Sequence, residues 1–167
     1  MRAGVNGVNI YTWRGSVGKL FDMHYRHGRW VGTVQPEYYG MLMFVKAAPP
    51  GSRLLSTGRP DAGPLRSWAV LAPDHSIRVV LVNDSLHHAR WVLVRPPHGG
   101  THAQIERLTA PSAYAHNGVT LGGQSFGAQT ATGRLTGPRT VAMMRPASDG
   151  YTVWVPPASA VMLTIRR

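Results

Sequence analysis

The sequence predicts a mainly β fold: an antiparallel β-sandwich preceded by a short strand–loop–helix piece. Three observations predict it. From Ser52 onward, short runs of β-branched and aromatic residues alternate with period two and end at turn residues. Before that point, one stretch after Pro36 has apolar residues at helical spacing. The chain has 167 residues and 43% hydrophobic content, enough to bury a core without staples and too much for wholesale disorder.

In chain order, "MRAG" reads as the last turn of a helix closed by Gly4. "VNGVNIYTW" then reads as a buried strand. A chain that opens at a helix end reads as cut, with Met1 as an internal methionine of something longer. Arg14 to Thr33 is rich in Gly, His and aromatics and shows little periodicity, so a loop is expected. Pro36 suits a first helical turn. "EYYGMLMFVKAA" after it predicts a helix of about three turns whose apolar face is Tyr38, Leu42 and Val45, with Met41 and Phe44 beside it. "PPG" at Pro49–Gly51 ends it.

The strand runs are "SWAVLAP", "HSIRVVLVND", "HHARWVLVRPP", "HAQIERLTA", "GYTVWVPP" and "SAVMLTIRR". In "SIRVVLVN", Ile77, Val79 and Leu81 point one way and Arg78, Val80 and Val82 the other. Both sets are largely apolar, which predicts a central strand. No 20–50-residue repeat is apparent.

Eighteen Lys+Arg against seven Asp+Glu give a net charge of +11. Such a field attracts anions: nucleic acid, anionic lipid or an acidic polysaccharide. The cations are almost all arginine, which suits bidentate contact with carboxylate or phosphate; a GC-rich genome gives the same excess. They are scattered, without the basic block of a nucleic-acid tail, so no nucleic-acid partner is expected. A charge-driven nucleic-acid binder would instead need a contiguous basic stripe. No apolar run is long enough to span a bilayer. The start lacks the apolar core of a signal peptide. Cysteine is absent, which excludes disulfides and thiolate metal sites.

The seven carboxylates are Asp22, Glu37, Asp61, Asp74, Asp84, Glu106 and Asp149. Asp74, Asp84 and Asp149 fall in turns, where Asp bonds its own backbone. Glu37 falls in a helix first turn, favoured by the dipole. Glu106 sits on a strand among apolar neighbours. None forms a catalytic pair, so no catalytic residue is expected in this chain. His24 with His27, and His87 with His88, lack a third ligand, so no metal site is expected and no cofactor is implied.

The long segment "LTAPSAYAHNGVTLGGQSFGAQTATGR" contains "GGQSFG" but no following Lys and no helix pattern, so it is not a phosphate-binding loop. Its Tyr114, Val119, Leu121 and Phe126 predict an excursion packed on the domain. Gly122 and Gly123 would permit a tight backbone path.

Four ordered segments, "AGVNGVNIYTW", "QPEYYGMLMF", "IERLTAPSAYAHNGVTLGGQSFGA" and "GYTVWVPPASAVMLTI", resemble the C-terminal region of glycoside hydrolase family 79, the β-glucuronidase and heparanase group. The resemblance implies that residues 1–48 are a remnant of a (β/α)8 barrel: strand 8, a loop and helix 8. Residues 49–167 are then the C-terminal β-sandwich. It implies that both catalytic glutamates precede Met1, in agreement with the absence of a carboxylate pair. The parent reaction would be retaining hydrolysis of a β-linked uronic-acid glycoside. The partner would be an acidic glycan or glycoside, bound through a catalytic barrel in cis or in trans. Loops after barrel strands build active sites, so the resemblance makes Tyr11, Trp13 and Tyr25 substrate-binding candidates. One strand–helix unit cannot bury both faces alone, so residues 1–48 should dock on the sandwich, stay loose or join another chain. The alternative is a non-enzymatic carbohydrate-binding or structural β-sandwich, marked by exposed aromatics on a sheet face or loop rim. Trp30, Trp68, Trp91 and Trp154 are the residues to check, with Trp91 and Trp154 expected in sheets.

Overall fold

Both faces of the strand in "HSIRVVLVND" are apolar, and the fold builds a cover over each. The computed structural model describes residues 18–58 and 63–166. Tyr11, Trp13, Asp61 and the expected strand "VNGVNIYTW" lie outside the described residues. Among the described residues there are eleven strands and one helix. The hairpin β1 (Phe21–Arg26) and β2 (Arg29–Val34) leads into α1 (Pro36–Ala47). Then come β3 (Arg53–Leu55), β4 (Leu65–Leu71), β5 (Ile77–Asn83), β6 (Arg90–Val94), β7 (His102–Thr109), β8 (Thr120–Leu121), β9 (Ala142–Met144), β10 (Tyr151–Val155) and β11 (Ser159–Arg166).

The long sheet runs β3-β4-β5-β11-β7-β8, with β9 also paired to β7. Its pairings are antiparallel. The second sheet is β10 and β6, also antiparallel. The alternation of β5 is as expected: Ile77, Val79 and Leu81 are buried, while Arg78, Val80 and Val82 are half-buried. It is a central strand, flanked by β4 and β11.

Two cores result. Val79, Leu81, Ile105, Leu163 and Ile165 meet Tyr151, Val153 and Val155 between the sheets. On the opposite face of the long sheet, Ala160, Met162 and Leu121 meet Tyr39, Met43 and Ala47 of α1. The chain changes sheets between β10 and β11 through Pro156–Ala158, where Ala158 takes a positive φ of 45°. Buried Asn83 pins that crossing: its Nδ2 donates to the carbonyls of His88 (2.8 Å) and Pro156 (2.9 Å). Its Oδ1 accepts from the Ser85 amide.

Three expectations are corrected. The segment 14–33 is not an unpatterned loop, because its described part contains the β1–β2 hairpin. The period-two signal was there: Phe21, Met23 and Tyr25 alternate with Asp22, His24 and Arg26. The turn is His27-Gly28, both at positive φ (48° and 76°), as a two-residue hairpin turn requires.

The buried line of α1 is Tyr39, Met43 and Ala47, one step round from the expected Tyr38, Leu42 and Val45. Tyr38 and Leu42 pack at its margin, and Val45 is 59% exposed. The helix sequence is apolar on nearly every side, so periodicity alone could not choose the face; packing against the excursion and the sheet chose it.

Tyr114 does not anchor the excursion, being 79% exposed. Phe126, Val119 and Leu121 do.

Candidate functional site

Of the three substrate-binding candidates, the structure describes Tyr25. It stands at the tip of the β1–β2 hairpin, 63% exposed, opposite Trp30 in the strand register. The two rings meet edge to face with centroids 5.4 Å apart. Phe21 and Met23 share that face. Gly32 leaves room for Met23, whose Sδ lies 2.7 Å from where a Cβ would be. The tip thus presents two large aromatic surfaces to solvent, while the hairpin base is held. There Phe21 packs on Tyr38 at 4.7 Å, and the Gly32 amide donates to the Thr130 carbonyl at 2.8 Å.

Thr130 belongs to the excursion, which buttresses both hairpin and helix. The Phe126 amide donates to the Tyr39 hydroxyl at 2.9 Å, and the Phe126 ring sits edge-on to Tyr39 at 5.3 Å. The glycine pair Gly122-Gly123 makes a two-residue turn with φ of 57° and 77°. The turn is closed by exchange of amide and carbonyl between Leu121 and Gln124. "GGQSFG" is therefore a tight turn after β8.

Gly122 also makes room for a charge. A Cβ there would lie 2.7 Å from Glu106 Oε1. Glu106 is 4% exposed on the helix-facing side of β7. Lys46 of α1 donates to Glu106 Oε1, and Arg139 Nη2 stands 3.7 Å from Oε2. Such a buried carboxylate persists only when paired. The pairs tie the last turn of α1 and the chain before β9 to β7. Arg78 adds to the tie by donating to the Lys46 carbonyl.

Four of the other described carboxylates are also engaged in ion pairs. Asp22 meets Lys19 at 2.8 Å, Asp74 meets Arg78 at 2.9 Å, Asp84 meets Arg66 at 3.9 Å and Asp149 meets Arg95 at 3.4 Å. Glu37 lies in the first turn of α1. Asp74 has a pKa lowered to about 2, first by the Ser76 hydroxyl donating to it and further by the Ser76 amide and Arg78. That is the Asp turn the sequence signalled. His24 lies 3.7 Å from Asp22, and His24, His27, His87 and His88 are exposed. Among the described residues no three His, Asp or Glu side chains cluster as a metal site. No described helix is long and apolar enough to cross a membrane.

One concavity is strongly apolar. A groove of about 600 Å³ runs between α1 and the β4–β5 part of the long sheet, lined by Met43, Phe44, Leu54, Trp68, Val80 and Val82. Phe44 is 60% exposed and Trp68 41%. Sequence reasoning marked Trp68 as a residue to check but could not place it opposite Phe44, because that opposition depends on where α1 lies on the sheet.

The sequence profile described as the glycosyl hydrolase family 79 C-terminal beta domain matches residues 67–162. No curated protein sequence matches the chain. Among solved structures, the chain is similar to a 4-O-alpha-L-rhamnosyl-beta-D-glucuronidase from Fusarium oxysporum 12S, with 18% identity and a TM-score of 0.66 over 80% of this chain and 30% of that one. A GH30 endoxylanase from Clostridium papyrosolvens C71 gives 13% identity and a TM-score of 0.54 over 80% of this chain and 28% of that one. An arabinofuranosidase gives 14% identity and a TM-score of 0.57 over 86% and 31%. The chain thus spans about 30% of the length of such structures.

Proposed function

Because this chain belongs to the family of glycosyl hydrolase family 79 C-terminal beta domains, we propose that it is the accessory β-sandwich of a family 79-like enzyme and is catalytically inactive by itself. In this reading residues 1–48 are the last unit of a (β/α)8 barrel, and residues 49–167 are the appended sandwich. The rest of the barrel is supplied in cis or in trans. It carries both catalytic carboxylates, which would stand about 5 Å apart in a retaining enzyme. The substrate is a β-linked uronic-acid glycoside. Tyr11 and Trp13, at the end of a barrel strand, and Tyr25, in the hairpin that follows, line its binding site.

The observation that carries the reading is the profile match, which spans β4 to β11 almost completely. Two features support it. The described carboxylates other than Glu37 are held in ion pairs, which leaves them poorly placed for acid or nucleophile work. The groove between α1 and the long sheet is an apolar surface of the kind a second domain covers.

The test is to assay the purified chain on an aryl β-glucuronide. The expected result is no turnover. Turnover abolished by substituting a carboxylate of this chain would overturn the proposal. In an active complex with a barrel, Tyr25→Ala should raise KM; an unchanged KM would remove Tyr25 from the substrate site.

A further inference from the structure

The outer face of the two-stranded sheet carries a second aromatic surface. Trp91 of β6 and Trp154 of β10 are cross-strand partners, and Leu93 and Thr152 form the neighbouring pair on that face. The indole centroids are 4.9 Å apart, with the rings tilted by 54°. Trp91 is 68% exposed, Trp154 39% and Leu93 39%. The inward residues of β10, Tyr151, Val153 and Val155, are all 0% exposed. The sheet therefore adheres to the core without help from the tryptophans. Their cross-strand contact stabilises the pair of strands, yet it leaves most of Trp91 in water. Two adjacent indoles left in water form an apolar patch that marks an interaction surface.

The patch has a cation at its margin. Arg107 reaches from β7 to donate one N–H to the Trp154 carbonyl at 2.8 Å. Among the described residues no carboxylate lies within ion-pair distance of it. Most of its guanidinium donors are thus uncommitted. Burial pushes Arg107 down from its ordinary value, and the charge of a bound anion would offset that cost.

We propose that Trp91, Trp154 and Arg107 form a binding site for an acidic glycan, a chain of β-linked pyranoses bearing carboxylates. A β-linked pyranose whose substituents are mostly equatorial presents an apolar C–H face, which suits the electron-rich face of an indole. Its hydroxyls remain directed outward to water and to Thr152. The carboxylate takes the guanidinium, in the planar two-bond geometry that arginine favours. The chain's net charge of +11 raises the local concentration of such a polyanion. A second copy of the chain carries the same +11 charge and is repelled, and a peptide lacks the flat C–H face that two adjacent indoles match. The site stands on the sandwich alone and holds whether or not a barrel completes the protein.

The experiment is calorimetric titration of the full chain with β-1,4-linked hexamannuronate and, separately, with neutral cellohexaose. Thermal melts verify that each variant is folded. Trp91→Ala is the primary variant, because so exposed a side chain can be removed without disturbing the core. The chain should bind hexamannuronate more tightly than cellohexaose. Trp91→Ala should weaken both roughly tenfold. Arg107→Gln should weaken hexamannuronate and leave cellohexaose unchanged. The proposal fails if neither sugar binds, or if Trp91→Ala binds like the parent chain. It fails if Arg107→Gln affects both sugars equally. It also fails if the chain forms a dimer that Trp91→Ala abolishes, because the face then belongs to a second copy.

Discussion

The two faces of the long sheet are built from the same strands and finished differently. On one face, Val161 and Leu163 of β11 are 0% exposed beneath Tyr151 and Val153 of β10, themselves 0% exposed. On the other, α1 and the excursion bury Met162 and Leu121, but the cover stops short of β4, where Trp68 remains 41% exposed. The difference teaches how each face is held. The first relies on apolar packing between two sheets. The second relies on one helix, a buried ion pair and a glycine turn; each face keeps a groove toward β3 and β4, about 600 Å³ on the helix side and about 530 Å³ between the sheets.

The largest expected effect breaks the first face. Leu163→Ala removes a fully buried side chain between the sheets and should cost about 3 kcal/mol in chemical denaturation. Val82→Ala, half-buried on the open face, should cost clearly less. Equal losses would mean that the two faces are finished alike.

Next comes Glu106→Gln. It removes the charge that faces Lys46 and Arg139 and should cost about 2 kcal/mol. Proteolysis should then release the region before β3 sooner than the sandwich. If it does not, the ion pair is not what holds α1.

A smaller change has the opposite sign. The Tyr151 hydroxyl is buried with no hydrogen-bond partner among the described residues. Tyr151→Phe should therefore leave stability equal or raise it by about 1 kcal/mol. A clear loss in melting temperature would show that the hydroxyl is satisfied, for instance by water.

The smallest effect is pH-dependent. The Asp74 pKa is depressed to about 2, so its contribution is fully present above the ordinary carboxylate value and is lost as pH falls toward 2. The side chain is 48% exposed, so screening limits the loss to under about 1 kcal/mol. Comparing the pH dependence of Asp74→Asn with the parent chain isolates it; parallel curves would refute the assignment.

Much of this could be read without coordinates. Period-two alternation placed β4, β5, β7, β10 and β11, because a half-buried strand must alternate. The apolar character of both sides of "SIRVVLVN" made β5 central. Pro36 and "PPG" bounded α1 through the geometry of proline and glycine. Other features depend on contacts between residues distant in sequence. The buried side of α1 was undecidable in a helix with apolar residues all round, until Phe126 met Tyr39 across 87 positions. The partner of Glu106 lies 60 positions away in Lys46, and its neighbour Gly122 is needed because a Cβ would collide with the carboxylate. The union of Trp91 with Trp154 required the chain to bring β6 beside β10. Local sequence sets the period and the turns, because those are properties of backbone and nearest side chains. Which faces close, and which aromatics stay in water, is decided only when distant strands pair and compete for the same apolar surface.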